Sequence, residues 1–394
     1  MNNISNIEKL CCGCRACESV CNLGAISFME NAEGFMYPCV DKEKCVSCGK
    51  CQNVCPIVNI STNKEEQLGY AAFLNDPVLL EKSSSGGVFT AIAKYVLEQG
   101  GVVFGCGLDS KGLPFHMKIN REQDLDQLKG SKYCQSNMER VYQECIAQIK
   151  NGTLVLFSGT PCQVAGLKNL VKDEYNNLLT CDLICHGVPS RLLLKKYYEW
   201  LEHHFKGQLL QYSFRSKERN NWSLTYRADM KKKDGKRFTI ENIASIDPYY
   251  DSFLKAKNYR ESCYQCPYSQ RKRPGDITIG DFWGIENEFP NSYNYNGNSS
   301  VLVNTVKGQS VFANISQYLV SIPVDVDAIC KNNGNLNKPS ERPSDRETYY
   351  TTILEDGFDA YYRQMKKSKR FKIETLRNIL PNSVRQKIKK ILHF

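Results

Sequence analysis

Through the middle of the chain, short apolar runs alternate with segments in which apolar residues recur every three or four positions. The runs predict buried strands, and the periodic segments predict amphipathic helices. The predicted strands are Tyr70–Leu74, Val102–Leu108, Thr153–Gly159 and Leu178–Cys185, and the predicted helices are Val88–Gln99, Met138–Lys150, Cys162–Val171 and Arg191–Phe205. This alternation predicts an α/β layer architecture in which helices cover a sheet.

After the last of these helices, the pattern becomes an alternation of polar and aromatic residues. Leu209–Arg215 and Ser223–Met230 have the two-residue period of strands, and Asp234-Gly235 supplies the positive φ angles of a tight turn. We therefore expect a hairpin in this region. A further helix is expected over Tyr349–Met365.

The longest apolar runs, such as Thr153–Gly159 and Val102–Leu108, are far shorter than the roughly 18 to 20 residues that a membrane span needs. The N-terminal sequence MNNISNIEKLCC lacks the basic start and the apolar core of a signal peptide. The sequence therefore predicts a cytoplasmic protein with no membrane-spanning helix.

Cysteine is abundant, with 19 residues in 394. In a reducing compartment such a density favours metal binding or redox chemistry over disulfides. The spacing C-x-x-C-x-x-C-x-x-x-C occurs twice, in two runs that contain Cys11, Cys14, Cys17 and Cys21, and Cys45, Cys48, Cys51 and Cys55. In this pattern three cysteines bind one [4Fe-4S] cluster, and the fourth reaches the neighbouring cluster. We therefore predict one centre on Cys11, Cys14, Cys17 and Cys55 and another on Cys45, Cys48, Cys51 and Cys21.

Two alternatives apply to this segment. Zinc would use four ligands as two C-x-x-C pairs and would leave the other cysteines unexplained. Cys12 could replace Cys11, although only Cys11 keeps the two-residue gap to Cys14. Cys12 and Cys39 are interpreted as small buried or partly buried residues.

Ser61–Gln67 is polar and without periodicity, which predicts a linker. We therefore divide the chain into a ferredoxin-like domain with two [4Fe-4S] clusters (residues 1–62), a larger α/β domain (68–335) and a helical basic tail (336–394). The predicted fold class is α/β, in the mixed α+β sense.

Four further cysteines in two pairs predict a third [4Fe-4S] cluster in the larger domain. They are Cys181, Cys185, Cys263 and Cys266. Structural zinc on the same ligands is one alternative, and replacement of one member by Cys162 is another. Cys162 lies at a predicted helix N-terminus, where the dipole favours a thiolate, so it could also be a nucleophile or a packed residue. His186 follows a predicted ligand and is a second candidate catalytic residue.

Two strand-to-helix turns have the composition of phosphate-binding loops. One is Ser83–Gly87 and the other is Phe157–Gln163. Both offer hydroxyl groups and glycines at the positive end of a helix, where phosphate binds, although ordinary helix capping explains the same residues.

The formal net charge is +10, and residues 363–394 alone carry eleven Lys or Arg against one acid, Glu374. The rest of the chain is about neutral, which argues against nucleic acid as a partner. The terminal sequence SVRQKIKKILHF places apolar residues at helical spacing with basic residues opposite. This helix is expected either to contact an anionic membrane surface or to dock on its own domain.

Five segments together resemble the coenzyme F420 hydrogenase/dehydrogenase beta-subunit family. They are SSSGGVFTAIA (83–93), LKGSKYCQS (128–136), LFSGTPCQVAGLK (156–168), CDLICHGVPS (181–190) and DITIGDFWGI (276–285). The N-terminal run resembles bacterial two-cluster ferredoxins, with Asn22 in place of the proline that usually follows the fourth cysteine. The resemblance to the beta-subunit family covers residues 69 to 330.

The resemblance implies a flavoprotein with FAD beside at least one [4Fe-4S] cluster. It implies three groups of FAD contacts, which are Ser85, Gly86, Gly87 and Thr90, then Lys129, Gly130 and Ser131, and then Gly159 and Thr160. Asp281, Phe282 and Trp283 follow a strand, and an aromatic side chain there either faces a cofactor or packs in the core.

An oxidoreductase is therefore the leading functional hypothesis. Electrons would pass between ferredoxin-type clusters and a two-electron acceptor at the flavin, with reduced ferredoxin or another redox protein as partner. Bacterial members of this type imply a role in surface polysaccharide synthesis. The alternatives are an electron-transfer subunit without its own substrate site and a non-redox scaffold.

Overall fold

The structure of the protein is a computed structural model that describes residues 2–63, 66–172, 175–218 and 222–380. The predicted terminal helix over residues 383–394 lies outside these ranges. The strands, in chain order, are β1 (Ile26–Glu30), β2 (Met36–Val40), β3 (Leu68–Leu74), β4 (Val102–Leu108), β5 (Pro114–Ile119), β6 (Val155–Gly159), β7 (Leu178–Leu183), β8 (Gln208–Ser213), β9 (Thr225–Lys231), β10 (Arg237–Ile243), β11 (Ile277–Asp281), β12 (Ser299–Val303) and β13 (Leu319–Val324).

Fourteen helices lie within the described ranges. They are α1 (Ala16–Val20), α2 (Lys50–Asn53), α3 (Pro77–Glu81), α4 (Val88–Glu98), α5 (Val141–Lys150), α6 (Pro161–Val171), α7 (Arg191–Phe205), α8 (Pro248–Leu254), α9 (Ile285–Glu288), α10 (Val306–Ile315), α11 (Val326–Lys331), α12 (Arg346–Glu355), α13 (Gly357–Lys367) and α14 (Lys369–Ile379). Within the part of the chain that the structure describes, no helix is long and apolar enough to cross a membrane.

The main domain is built on an eight-stranded sheet in the order β13-β3-β12-β11-β7-β6-β4-β5. Its four central strands, β4, β6, β7 and β11, are parallel, and the outer strands are antiparallel. Alternate residues of the central strands face opposite layers. Val103 and Leu156 pack against α4, whereas Phe104 and Phe157 pack against α5 and α6. The predicted α/β class is therefore confirmed.

A second sheet in the order β10-β9-β8 covers an aromatic core with α7, α8, α12 and α13. The predicted tight turn is present at Asp234-Gly235, where Gly235 has a φ of +86°. It joins β9 to β10, and the predicted first strand of the hairpin, β8, instead pairs with the other edge of β9.

The helix expected over Tyr349–Met365 is interrupted. The chain forms α12 and α13 as separate helices, and Gly357 at the break has a φ of +76°. A left-handed residue ends the α-helical path, and glycine takes that conformation without a steric penalty. The periodicity ran through the break because both helices bury apolar faces in the same aromatic core.

The N-terminal domain is small, with one antiparallel pair, β1 and β2, and two short helices. Both helices begin after a left-handed residue, Arg15 before α1 and Gly49 before α2. Each therefore starts from a sharp turn within its cysteine run.

Candidate iron-sulfur and electron-transfer site

Five cysteines of the N-terminal domain line one cavity. Four of them, Cys11, Cys14, Cys17 and Cys55, were predicted to bind one cluster, and we call them the inner set; the fifth is Cys12. All four are buried and line this cavity together with apolar side chains that include Ile4, Ile7 and Phe28. Burial is the main cause of the raised pKa of Cys17, and the nearby Cys11 and Cys55 thiols also raise it. Such a group of thiols suits a bound iron-sulfur cluster, because the metal stabilises thiolates that the apolar surroundings disfavour.

The outer set is the other predicted group, Cys21, Cys45, Cys48 and Cys51. Cys51 is buried, and burial is the main cause of its raised pKa. The nearby Cys45 thiol also raises this pKa. Asn3 donates from Nδ2 to the Cys45 sulfur over 3.5 Å. Cys48 is exposed, so this set lies at the protein surface.

The structure brings together only three of the four cysteines predicted to bind the third cluster. Cys181 lies in β7 with its side chain fully buried in the core, where Ser158 hydrogen-bonds its sulfur. Cys162 takes its place beside the other three predicted ligands. We call Cys162, Cys185, Cys263 and Cys266 the third set.

The members of the third set act on one another electrostatically. Burial raises the pKa of Cys185 to about 12, with further contributions from Cys162 and Cys266. Burial likewise raises the pKa of Cys263, and Cys185, Cys266 and Cys162 raise it further. Four buried thiols that influence one another in this way suit a shared metal centre, because bound metal stabilises the thiolate form of each.

Cys162 does not have the lowered pKa that its helix position predicts. Its contact with Cys12 raises the pKa, and burial raises it further. Thr160 Oγ1 lies 3.3 Å from its sulfur, and Thr160 also caps α6. These surroundings disfavour a free thiolate nucleophile and suit a metal ligand.

Cys12 connects two of the cysteine sets. Its thiol is within hydrogen-bonding reach of Cys14 in the inner set and of Cys162 in the third set. It is partly buried, as expected, but Cys39 is exposed on β2, contrary to the interpretation of Cys39 as a buried residue. Through Cys12, the N-terminal domain therefore presents its inner set to the main domain.

Close packing and hydrogen bonds fix this contact between the domains. A Cβ added to Gly166 of α6 would lie 3.3 Å from the Cys14 sulfur, so α6 packs directly on the cysteine run. The buried Arg260 donates to Cys11 O over 2.5 Å and to Met36 O over 2.8 Å. Tyr268 donates to Pro56 O over 2.7 Å.

Gly166→Leu should separate these surfaces. The added side chain must displace either the Cys14 loop or the Tyr142 hydroxyl, which an ideal Cβ already approaches to 3.0 Å. Overpacking of this kind costs about 1–3 kcal/mol of unfolding free energy. Anaerobic urea denaturation measures it, and Gly334→Leu is the matched control because a Cβ there meets nothing within 4 Å. Equal stability of the two variants would contradict the close packing.

Two of the predicted phosphate-binding segments meet in the structure. The backbone N–H of Ser131 donates to Ser84 Oγ over 2.7 Å, which joins the 83–87 loop to the 129–131 loop. Gly130 has a φ of +83° and open space around its Cα, so a ligand could approach its backbone closely. Lys129 pairs with Asp126 over 2.7 Å.

The other glycines predicted as FAD contacts are closely packed against protein atoms, which the sequence alone did not show. A Cβ on Gly86 would lie 2.2 Å from Ala72 O, and one on Gly87 would lie 2.3 Å from a Leu74 methyl group. Both are glycine because they pack on β3, and Thr90 is buried on the inner face of α4. Gly159 likewise faces Gln163 and His116. Protein atoms therefore occupy the space that a side chain at Gly86, Gly87 or Gly159 would need, and the role of these glycines as FAD contacts stays a prediction.

Profiles of known families match most of the described chain. Two of them describe the beta subunit of coenzyme F420 hydrogenase/dehydrogenase, and they match its N-terminal part to residues 69–143 and its C-terminal part to residues 152–325. The chain belongs to the F420 hydrogenase/dehydrogenase beta-subunit family. A 4Fe-4S dicluster domain matches residues 10–59 in front of it.

Two curated relatives are similar to this family member over about 190 residues. The coenzyme F420-dependent sulfite reductase of Methanocaldococcus jannaschii is 27% identical over 46% of this chain and 28% of its own length. One of the subunits of the F420H2 dehydrogenase of Methanosarcina mazei is 24% identical over 45% of this chain and 54% of its own length. The matches thus span about half or less of each relative.

A solved F420-reducing [NiFe] hydrogenase complex from Methanosarcina barkeri contains a similar chain. The two chains are 17% identical with a TM-score of 0.43, and the match covers 79% of this chain and 94% of that one.

Sequence reasoning missed two polar residues of this beta-subunit family member, Arg215 and Trp222, which both contact Asp281. Arg215 donates to Asp281 over 2.8 Å and to Tyr133 over 3.3 Å. Trp222 also donates to Asp281, over 2.9 Å, and stacks on Trp283 with a ring separation of 5.1 Å. Among these residues, Tyr133, Asp281 and Trp283 lie in segments that carried the family resemblance, whereas Arg215 and Trp222 do not.

The remaining candidates take different positions. His186 follows Cys185, is exposed, and lies within electrostatic range of Asp281. Phe282 is fully buried and packs on Phe289, so its structural interpretation is confirmed. Trp283 is only partly buried and remains a candidate cofactor or substrate contact.

Proposed function

We propose that this chain is an iron-sulfur flavoprotein oxidoreductase that carries electrons between its dicluster domain and a two-electron carrier in the main domain. The observation that carries this proposal is the position of Cys12 between Cys14 and Cys162. Because these two cysteines belong to the inner set and the third set, the three cysteine sets would form one series from the surface inward.

The outer set would begin this series, because Cys48 is exposed where a partner protein could approach. The inner set would follow, and the third set would lie nearest to the 83–87 and 129–131 loops. These loops, with the N-terminus of α4, would hold the phosphates of FAD. Each iron-sulfur centre exchanges single electrons, whereas a bound FAD would exchange a pair.

The partner would be a reduced ferredoxin or another small redox protein. The alternative function is that of an electron-transfer subunit, and one relative is itself named a subunit. In that case the chain would hand its electrons to a separate enzyme. A role in surface polysaccharide synthesis stays a prediction from the sequence.

Anaerobic purification with iron, acid-labile sulfide and flavin quantitation tests the proposal. We expect about twelve irons and one FAD per chain, as three [4Fe-4S] clusters require. Reduced ferredoxin should then bleach the flavin absorbance, and the Cys263→Ala/Cys266→Ala variant should lose this reaction. Clusters without flavin would contradict the flavoprotein proposal. Flavin that reoxidises only when a second protein is added would establish the subunit alternative.

A further inference from the structure

Two buried cations, Arg215 and Lys217, lie two positions apart in the chain, and Lys217 contacts the 83–87 loop. Arg215 has 2% of its side chain exposed, and Lys217 is also buried. Asp281 pairs with Arg215, and its side chain is 16% exposed. Lys217 contacts backbone oxygens only, donating to Leu80 O over 2.7 Å and to Ser85 O over 2.9 Å. Glu81 also acts on Lys217 electrostatically, but it is exposed, so Asp281 is the carboxylate that pairs with these buried cations.

Arg215 also retains an unused donor. Its Nε donates to Ser223 O over 3.0 Å, and its Nη1 serves Asp281 and Tyr133. Its Nη2 is buried and has no hydrogen-bond partner among the described residues. An unpaired buried donor on a charged group is costly, so native proteins normally supply a partner.

The pKa of Lys217 reflects its burial next to a second cation. Its pKa is lowered to about 7, chiefly by burial and also by the Arg215 guanidinium, while Asp281 and Glu81 act in the opposite direction. Bound negative charge would relieve both effects, because an anion near the two cations favours their charged forms.

We propose that Arg215 and Lys217 form a binding site for an oxyanion, either a phosphate or a carboxylate group, at the junction of the 83–87 loop and Asp281. The planar guanidinium offers its free Nη2 in the geometry that such oxygens accept. Lys217 connects this site to the loop through Ser85. Trp283 lies beside it, with the Arg215 guanidinium 5.6 Å from its ring centre.

This inference rests on the proposed function. Under that function, the oxyanion belongs to one of two molecules. It is a phosphate of the bound flavin dinucleotide or an acidic group of the substrate. Both sources use the same donors, but they differ in whether the site is filled when flavin is bound.

Titration of the full chain with inorganic phosphate tests the site. Trp222 and Trp283 are two of only three tryptophans, so their fluorescence is a direct readout. We expect a saturable change in the flavin-free protein, with affinity about tenfold lower or worse in Arg215→Gln and in Lys217→Met, as loss of a charged hydrogen bond predicts. Arg227→Gln is the matched control, because that arginine pairs with Asp229 on β9.

Comparison with the flavin-loaded protein identifies the source. Loss of the phosphate response when FAD is bound, and its persistence with riboflavin, would assign the site to a flavin phosphate. An unchanged response with FAD bound would assign it to an acidic substrate. Absence of any response, or equal affinities in Arg215→Gln, Lys217→Met and the parent protein, would overturn the inference. Phosphate binding needs no electron transfer, so these results are independent of the redox test, and circular dichroism establishes that each variant is folded.

Discussion

Replacing Cys162 by serine should lower the iron content from about twelve to about eight atoms per chain, whereas Cys181→Ser should leave it unchanged. The reason is the position of the two sulfurs. Cys162 lies close to Cys185, Cys263 and Cys266. Cys181 is buried in the core beside the sheet, where Ser158 forms a hydrogen bond with its sulfur.

Iron and sulfide analysis of anaerobically purified variants measures this difference. Electron paramagnetic resonance of the reduced proteins should show one signal fewer in Cys162→Ser and the full set in Cys181→Ser. Cys145→Ser is a suitable control, because Cys145 is equally buried in another part of the core. Iron loss in Cys181→Ser with retention in Cys162→Ser would restore the ligand set that the sequence alone predicted.

Arg273→Met is expected to destabilise the protein by about 3–5 kcal/mol, because it leaves the carboxylate of Asp182 buried without its cation. Both side chains are almost completely buried, with an Nη2–Oδ1 distance of 3.1 Å. Arg273 also donates to Leu183 O over 2.8 Å and to Tyr268 O over 2.6 Å. The pair therefore ties the end of β7, next to Cys185, to the segment that follows Cys266.

Apparent unfolding free energies from anaerobic denaturant titration measure this effect. The Arg273→Met/Asp182→Asn double variant should recover part of the loss, since the isolated charge is then gone. Loss of the exposed Lys195–Glu199 pair through Lys195→Met should change stability little. An Arg273→Met variant as stable as the Lys195→Met control would show that the buried pair contributes nothing.

Local patterns in the sequence were sufficient for the dicluster domain. The spacing within each cysteine run is set by a few consecutive residues, so the inner set could be predicted and the structure brings its members together. Strands β4, β6 and β7 were also predictable, because buried parallel strands are continuous apolar runs. The antiparallel β3 was predictable from its own short apolar run.

The third set depended on the tertiary fold instead. Cys181 and Cys185 are four residues apart, but β7 ends at Leu183, so only Cys185 emerges from the sheet. Cys162 lies at the start of α6, directly after the adjacent strand β6, and so comes close to Cys185. The sequence alone does not show that β6 and β7 are neighbours. Arg215 and Lys217 were missed for a similar reason, since their partners Asp281 and Ser85 are distant in the chain.

The dicluster domain is also held by the far end of the chain. The buried Arg346 of α12 donates to both carboxylate oxygens of Glu33, over 2.7 and 2.8 Å. Arg346 comes 291 positions after Cys55, so at 5–20 residues per second the ribosome needs on the order of 15 to 60 s to reach it. During that time the ten cysteines of the first domain exist without all of the contacts that later hold this domain in place. The domain that carries the predicted cluster ligands is therefore synthesised long before the arginine that binds its Glu33.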